Sequence, residues 1–232
     1  MMNFLYGMVK KFQAYLDKKL VLRMKKSLGK CGKGVLLFRP YHIVGANNIE
    51  LGDFVRIMPN PTILASDCKL IIKKYTGISY NLTCVTSNHR PTVGIPSFFN
   101  NMLHINEVVK GDVIIGEDCW LGLNVILLPG ANIGRGVIVG AGTLVNKKIP
   151  PYAVIAGIPA KIIGVKFTKE QVIEHERKIY DVEERMTEDE LNLLFSTYYE
   201  GKKVVGSNCI SEQDQRRYDD CLESMNAKIS II

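Results

Sequence analysis

The sequence lacks the patterns that assign many chains to a class at first sight. Its six cysteines contain no C-x-x-C pair and do not cluster with the four histidines, so neither a zinc site nor a disulfide framework is indicated. No window approaches the roughly eighteen uninterrupted apolar residues of a membrane span, and no apolar run before a small-residue cleavage site marks a secretory signal. We therefore expect a cytoplasmic protein with reduced thiols and no bound metal.

Acidic residues are almost absent from the first part of the chain. Residues 1–40 contain ten Lys or Arg and one acid, Asp17, whereas the remaining residues contain twenty basic and twenty-two acidic residues. The net charge of +7 therefore comes from the N-terminal segment alone. No aromatic-interleaved basic patch accompanies this charge, so we do not expect nucleic acid as a partner.

The N-terminal segment, residues 1–40, has the pattern of a basic amphipathic helix. Within residues 3–26, apolar residues recur four apart at Phe4, Met8, Phe12, Leu16, Leu20 and Met24. We favour the interpretation that this helix packs on the open end of a domain. The same pattern also suits weak association with a membrane surface.

An aliphatic residue returns every six positions through much of the chain. The rhythm appears at Leu51, Ile57 and Ile63, again at Ile72, Ile78 and Cys84, and then at Val109, Ile115, Leu121, Leu127, Ile133, Val139 and Val145. The fifth place of each later unit holds Val113, Cys119, Val125, Ala131, Val137, Thr143 and Ile149. Short strands joined by tight corners fit this period, and three of them make one triangular turn of a β-solenoid.

The rhythm divides the chain into three parts. We predict a mainly β protein in which residues 41–166 form a parallel β-helix, interrupted by an inserted loop at 90–108. Residues 167–232 form a helical extension and tail, since Thr168 with Gln171 and Thr187 with Glu190 have the spacing of capping boxes. The inward places of Cys84 and Cys119 indicate packing rather than covalent catalysis.

Three motifs resemble the left-handed β-helix hexapeptide-repeat acetyltransferases, which include galactoside, maltose, xenobiotic and surface-polysaccharide enzymes. They are W-x-G at Trp120 to Gly122, GAG at Gly140 to Gly142, and the segment PPYAVIAGIPAKII. The resemblance covers roughly residues 45–165. It implies a left-handed solenoid, acetyl-CoA as cosubstrate, and a homotrimer with active sites between subunits.

The resemblance also implies site residues. His89, at the end of a repeat unit just before the inserted loop, takes the place of the catalytic base, and histidine suits proton transfer near neutral pH. Acceptor-binding positions correspond to Asn60, Asp67, Asn88 and Trp120. Coenzyme A positions correspond to Leu123, Ala141, Gly142, Asn146, Lys147 and Lys161.

The expected activity is transfer of acetyl from acetyl-CoA to a hydroxyl of a sugar or surface-glycan precursor, as in polysaccharide biosynthesis. One alternative is N-acetylation of an amino sugar nucleotide, or acetylation of an antibiotic. A non-catalytic trimeric scaffold is an alternative of another class. A γ-type carbonic anhydrase shares the solenoid but needs three converging histidines, whereas His42 lies outside the clear repeats and His104 lies in the loop.

Overall fold

The computed structural model describes residues 2–105 and 109–229 of the chain. At its centre is a parallel β-solenoid of about six turns with three flat faces. Strands of successive turns pair in parallel, so their backbone N–H and C=O groups bond to the turn above or below. The predicted solenoid is confirmed, because six residues form one short strand with one corner.

Each face is a sheet that collects one strand from successive turns. The first face contains β1 (Lys30–Cys31), β4 (Ile49–Leu51), β7 (Leu70–Ile72), β12 (Val113–Ile115), β15 (Asn132–Ile133) and β18 (Lys148–Ile149). The second face contains β2 (Leu36–Leu37), β5 (Arg56–Ile57), β8 (Gly77–Ile78), β13 (Trp120–Leu121), β16 (Ile138–Val139), β19 (Ala153–Ala156) and β20 (Lys161–Val165). The third face contains β3 (His42–Val44), β6 (Thr62–Leu64), β9 (Thr83–Val85), β14 (Ile126–Leu127) and β17 (Leu144–Val145).

The repeated aliphatic residues form one continuous core inside the solenoid. Every predicted leading position from Leu51 to Val145 whose side chain the structure describes is buried, and so are the fifth positions from Val113 to Ile149. Residues in the same place of successive turns stack in register, as Ile115 does between Ile72 and Ile133. Full burial of each such side chain contributes about 1.5–3 kcal/mol, so the core is the main source of stability.

Two of the three corners of the solenoid repeatedly need backbone that most residues adopt with difficulty. At the first corner, between the first and second faces, Phe54, Tyr75, Asp118 and Tyr152 have φ between 53° and 65°. At the second corner, between the second and third faces, Asn60, Asn81 and Asn124 have φ between 57° and 65°. Asparagine tolerates this left-handed region better than most residues, which accounts for its recurrence at the second corner.

The chain leaves the solenoid at the third corner, between the third and first faces. Strand β10 (Ser87–Asn88) pairs antiparallel with β11 (Val109–Lys110), and the loop between them contains a short helix, α2 (Ser97–Met102). Asn88 follows Thr76 and Leu82 at the fifth place of its unit, which predicts an inward side chain, and this prediction is wrong because the Asn88 side chain is exposed. Thr86 is the last buried residue before the loop, since the antiparallel pair turns the chain away from the core.

The solenoid begins earlier in the chain than its aliphatic rhythm suggests. Its strands start at Lys30, within the segment assigned to the N-terminal helix, and Val35 and Leu37 are buried in the first turn. The prediction that His42 lies outside the repeats is wrong, because His42 pairs in register with Thr62. Tyr41 at the fifth place of this unit, where later units have small or aliphatic residues, conceals the repeat.

The predicted N-terminal helix is α1 (Met2–Ser27). Only its last turns pack on the solenoid, where Val21 and Met24 contact the core together with Leu28. The prediction that the helix covers the open end is therefore correct only for its C-terminal part, since its earlier apolar residues are exposed. Within the described part of the chain, no helix is both long and apolar enough to cross a bilayer.

The C-terminal end of the solenoid is closed by an antiparallel strand and two helices. Strand β20 runs antiparallel to β19, and α3 (Lys169–Ile179) and α4 (Glu188–Tyr198) follow. Both predicted capping boxes are present, at Thr168 with Gln171 and at Thr187 with Glu190. A further helix, α5 (Glu212–Ile229), forms the end of the described chain.

Candidate active site

His89 lies where the chain leaves the third corner. It follows β10 directly, and its backbone N–H donates to the Asn88 side-chain oxygen at 3.0 Å. The Nδ1 atom of His89 is buried and has no hydrogen-bond partner among the residues that the structure describes. Because Nδ1 is buried, a bound molecule would have to meet the His89 ring at Nε2.

The loop folds back so that His104 lies against His89. The centroids of the two imidazole rings are 5.0 Å apart. Buried Asn100 holds this arrangement, since it accepts a hydrogen bond from the Thr92 hydroxyl at 2.7 Å and donates to the Arg90 carbonyl at 2.9 Å. Sequence reasoning missed the proximity of His104, because only the path of the loop brings it there.

The acceptor residues predicted from sequence do not all lie together. Asp67 lies at the third corner one turn before His89, and its carboxylate is 3.6 Å from the Lys110 ammonium at the base of the loop. Asn88 is adjacent to His89. Asn60 lies instead at the second corner with φ of 65°, where the turn itself accounts for asparagine.

Trp120 lies on the outside of the second face, so His89 and Trp120 occupy different sides of one chain. Its ring covers Gly77 of the preceding turn, where an added Cβ would come within 3.0 Å of the ring. The Arg56 guanidinium lies 5.7 Å from the ring centroid, a distance suited to a cation–π contact. Glycine at position 77 therefore allows the indole to lie flat and remain partly exposed.

The predicted coenzyme A residues divide between two corners. Leu123, Ala141 and Gly142 stack at the second corner, where the Gly142 N–H donates to the Leu123 carbonyl at 2.7 Å. An added Cβ at Gly142 would meet open space, so an extended chain could approach this backbone closely. The other three residues, Asn146, Lys147 and Lys161, are exposed near the C-terminal end of the solenoid.

The first corner, by contrast, is covered by α3 through a cluster of paired, partly buried polar side chains. The Asp118 carboxylate lies 3.0 Å from His175 Nε2 on α3 and 2.5 Å from the Lys166 ammonium. Burial opposes ionisation of Asp118, but the hydrogen bond from His175 and the charge and hydrogen bond of Lys166 outweigh it. The pKa of Asp118 is therefore lowered.

A second carboxylate at this corner is almost fully buried. Glu176 on α3 accepts hydrogen bonds from the Tyr152 hydroxyl at 2.7 Å, the Met186 backbone N–H at 2.6 Å and Arg135 at 3.3 Å. Burial, followed by the neighbouring Glu176, raises the pKa of Tyr152, so its hydroxyl remains a donor. Arg135 also lies 4.9 Å from the Tyr180 ring centroid. These contacts fix α3 to the solenoid.

The two inward cysteines are confirmed as packing residues. Cys84 and Cys119 are buried, and desolvation raises the pKa of each thiol to about 12. Neither thiol is ionised near neutral pH, so neither is a nucleophile.

The remaining histidines and the surface groove do not suggest a second site. Among the described residues, no three His, Cys, Asp or Glu side chains are grouped so as to hold a metal ion. A groove of about 410 Å³ lies between α3, α4 and the end of the solenoid, and none of the predicted site residues lines it. The chemistry predicted from sequence therefore centres on the third corner and its loop.

Comparisons with known proteins decide the family. Residues 112–147 match the family described as bacterial transferase hexapeptide (six repeats). WbbJ of Escherichia coli K12, named for O-acetyl transfer in lipopolysaccharide biosynthesis, is 32% identical over 150 residues, which cover 65% of this chain and 67% of WbbJ. The chain belongs to the hexapeptide-repeat acetyltransferases. It is thus an acyltransferase, as predicted.

Other members of the family show how the likeness is distributed. A macrolide acetyltransferase of Lysinibacillus sphaericus is 34% identical over 116 residues, which cover 45% of this chain and 64% of that protein. The solved structure of a galactoside acetyltransferase in complex with coenzyme A is 26% identical, with a TM-score of 0.55. That match covers 71% of this chain and 75% of the solved chain.

Proposed function

We propose that this protein transfers an acetyl group from acetyl-CoA to a hydroxyl of a sugar or surface-glycan precursor, with His89 as general base. The observation that carries the proposal is the setting of His89. It lies at the start of the loop, where the chain leaves the solenoid, and its Nδ1 atom is buried. The likeness to WbbJ, named for lipopolysaccharide O-acetyl transfer, supports a glycan acceptor. The likeness to a coenzyme A complex supports the cosubstrate.

The reaction needs one group that can accept and return a proton. Acetyl-CoA supplies an acetyl group activated as a thioester. Nε2 of His89 accepts the proton of the acceptor hydroxyl while that oxygen attacks the thioester carbonyl carbon. When the C–S bond breaks, the imidazolium returns the proton to the departing thiolate. The acetyl ester and the free thiol are the products, and no covalent enzyme intermediate forms.

The stacked second corner is our candidate for the pantetheine arm of coenzyme A. Leu123 offers an exposed apolar surface, and Ala141 and Gly142 allow the arm to approach the backbone. Lys147 and Lys161 supply positive charge for the phosphates near the end of the solenoid. These groups hold the thioester while His89 acts on the acceptor.

We also propose a homotrimer in which each active site lies between two subunits. Within one chain, His89 and Trp120 lie on different sides of the solenoid, so a second copy is needed to bring an indole to the acceptor site. The loop beyond His89 exposes Phe98, Met102 and Leu103, apolar side chains that a neighbouring subunit would cover. We place the protein in the cytoplasm, where acetyl-CoA is available.

The test is an acetylation assay with the full-length protein and its His89→Ala variant. The acceptor panel contains simple sugars, glycan precursors, amino sugar nucleotides, chloramphenicol and a macrolide, with thiol release followed and products identified by mass. We expect one hydroxyl acceptor class to be acetylated and His89→Ala to reduce kcat by about 10²–10⁴-fold. His42→Ala, which removes an exposed histidine of the first turn, serves as the matched control and should retain activity.

Each other outcome points elsewhere. Equal rates for wild type and His89→Ala would remove His89 from the chemistry. Acetylation of an amine would favour the N-acetyltransferase alternative, and acetylation of the macrolide alone would favour antibiotic modification, which the Lysinibacillus relative supports. If calorimetry detects no binding of acetyl-CoA, the acetyltransferase proposal fails and the scaffold hypothesis replaces it.

A further inference from the structure

Helix α1 exposes a long apolar face that the described part of the chain does not cover. Leu5, Met8, Val9 and Phe12 each expose more than half of their side-chain surface, and Leu16 exposes 39%. These residues recur three and four positions apart, so they form one stripe along the first turns of the helix. An exposed apolar stripe of this length in a folded protein indicates a surface that is covered by something else.

The stripe points away from the solenoid. The face of α1 that docks is marked by three contacts: an ion pair between Asp17 and Arg39, a hydrogen bond from the Tyr41 hydroxyl to the Leu20 carbonyl, and a bond from the Lys25 ammonium to Val35. At about 100° per residue, Phe12 lies on the opposite side of the helix from Val21, and Leu16 lies about 140° around the helix from Val21. Rotating the helix to bury the stripe would break all of these contacts.

The charge of α1 identifies the kind of surface that the stripe meets. Its basic residues are Lys10, Lys11, Lys18, Lys19, Arg23, Lys25 and Lys26. Its single acidic residue, Asp17, is already paired with Arg39 of the solenoid. The partner must therefore be apolar in its interior and negatively charged at its surface.

A second copy of the helix does not meet this requirement. Two α1 helices packed through their stripes would bring their lysines together without acidic partners, which disfavours the pair. An anionic lipid surface meets both requirements, because its acyl region accepts apolar side chains and its headgroups attract lysine. Tyr6 and Tyr15 beside the stripe, each under a lysine ammonium at 4.6 and 4.7 Å, suit the boundary between the two regions.

We propose that α1 binds the surface of an anionic phospholipid membrane, lying along it with Leu5, Met8, Phe12 and Leu16 in the acyl boundary. Since α1 is fixed to the first turn of the solenoid by its C-terminal residues, binding would hold the whole protein at the membrane. The proposal does not depend on the acetyl acceptor. Failure of either proposal would leave the other standing.

The experiment is sedimentation of the full-length protein with vesicles. One set contains phosphatidylglycerol and phosphatidylcholine, and the other contains phosphatidylcholine alone. We expect binding to the anionic vesicles to exceed binding to the neutral ones at least about tenfold and to weaken as salt is raised, since salt screens the attraction between lysine and anionic headgroups. The variant Met8→Ser with Phe12→Ser should lose binding at least about tenfold.

A matched control separates the stripe from exposed apolar surface in general. Leu193→Ser removes a side chain of α4 that is 69% exposed, and it should bind vesicles as the wild type does. Equal binding to both vesicle types, no binding at all, or unchanged binding by the Met8→Ser, Phe12→Ser variant would each overturn the proposal. Light scattering provides a further check: self-association that the double variant abolishes, without vesicle binding, would make a second copy the occupant. Thermal unfolding confirms that each variant is folded.

Discussion

The first and third corners of the solenoid each join two neighbouring faces, but they differ in what lies against them. At the first corner, α3 covers the turn through Asp118 and Glu176, which are paired with His175, Lys166 and Arg135. At the third corner the chain leaves the turn, and the one ring contact of His89 within the described residues is with His104 of the returning loop. The carboxylates at the covered corner are paired. The buried Tyr180 hydroxyl there has no hydrogen-bond partner in the described part of the chain, and neither has Nδ1 of His89 at the third corner.

This difference shows where a repeat protein can place chemistry. A carboxylate that accepts three hydrogen bonds, as Glu176 does, stabilises the fold and has no capacity left for a substrate. His89 beside the loop belongs to no such cluster: its buried Nδ1 atom lacks a partner, which costs some stability, and Nε2 is the nitrogen that we propose meets the acceptor. The groups at the first corner, which shift the pKa values of one another, are thus structural in this protein. The candidate catalytic group, His89, is instead identified by its position at the start of the loop.

The largest effect that we predict concerns the covered corner. Glu176→Ala should lower the free energy of unfolding by about 3–5 kcal/mol, because it leaves the buried Tyr152 hydroxyl and the half-buried Arg135 guanidinium without their acceptor. Urea denaturation measures the change. Glu174→Ala removes an exposed carboxylate of the same helix and should cause no measurable change. Equal effects of the two variants would mean that the corner is not held by the buried carboxylate.

A smaller effect should appear as pH dependence. The folded pKa of Asp118 lies below its ordinary value of 3.8, so Asp118 contributes stability above that pH and the contribution is lost as pH falls through the folded pKa. Asp118→Asn should lower stability at pH 7 by about 1–3 kcal/mol and flatten the stability profile below pH 4. Thermal unfolding from pH 2 to pH 7 measures both. Asp220→Asn, at an exposed position on α5, should leave the profile unchanged.

The smallest effect that we predict concerns the second corner. Asn81 has φ of 61°, and its side chain donates to Asn124 at 2.8 Å. Both Asn81→Gly and Asn81→Ala lose that hydrogen bond, but only alanine opposes the left-handed backbone. Asn81→Ala should therefore be less stable than Asn81→Gly by about 1 kcal/mol in urea denaturation. Equal stabilities would show that this corner relaxes to another conformation.

The three faces of the solenoid could be predicted from the sequence because the six-residue repeat that forms them is local. A residue such as Leu121 is buried because of its place in a six-residue unit, and that place is visible without knowledge of any distant residue. The helix caps at Thr168 and Thr187 are equally local, since each depends on a residue three positions later.

Features that depend on distant contacts could not be predicted in this way. Asp118 meets His175 from a position fifty-seven residues away, and neither residue belongs to a motif. The contact of His104 with His89 depends on the path of an irregular loop. Asn88 was misplaced for a related reason, because its six-residue spacing continues in the sequence after the chain has already left the coil.

The antiparallel strand β20 determines where the repeat stops. Every other strand of the second face runs in one direction, so a further parallel strand, from this chain or from another molecule, could in principle extend that face. β20 reverses direction at this edge, and a bridge between Val165 and Val204 places yet another segment beyond it. The solenoid therefore has a fixed number of turns. End-to-end assembly of solenoids into a filament is blocked at this end.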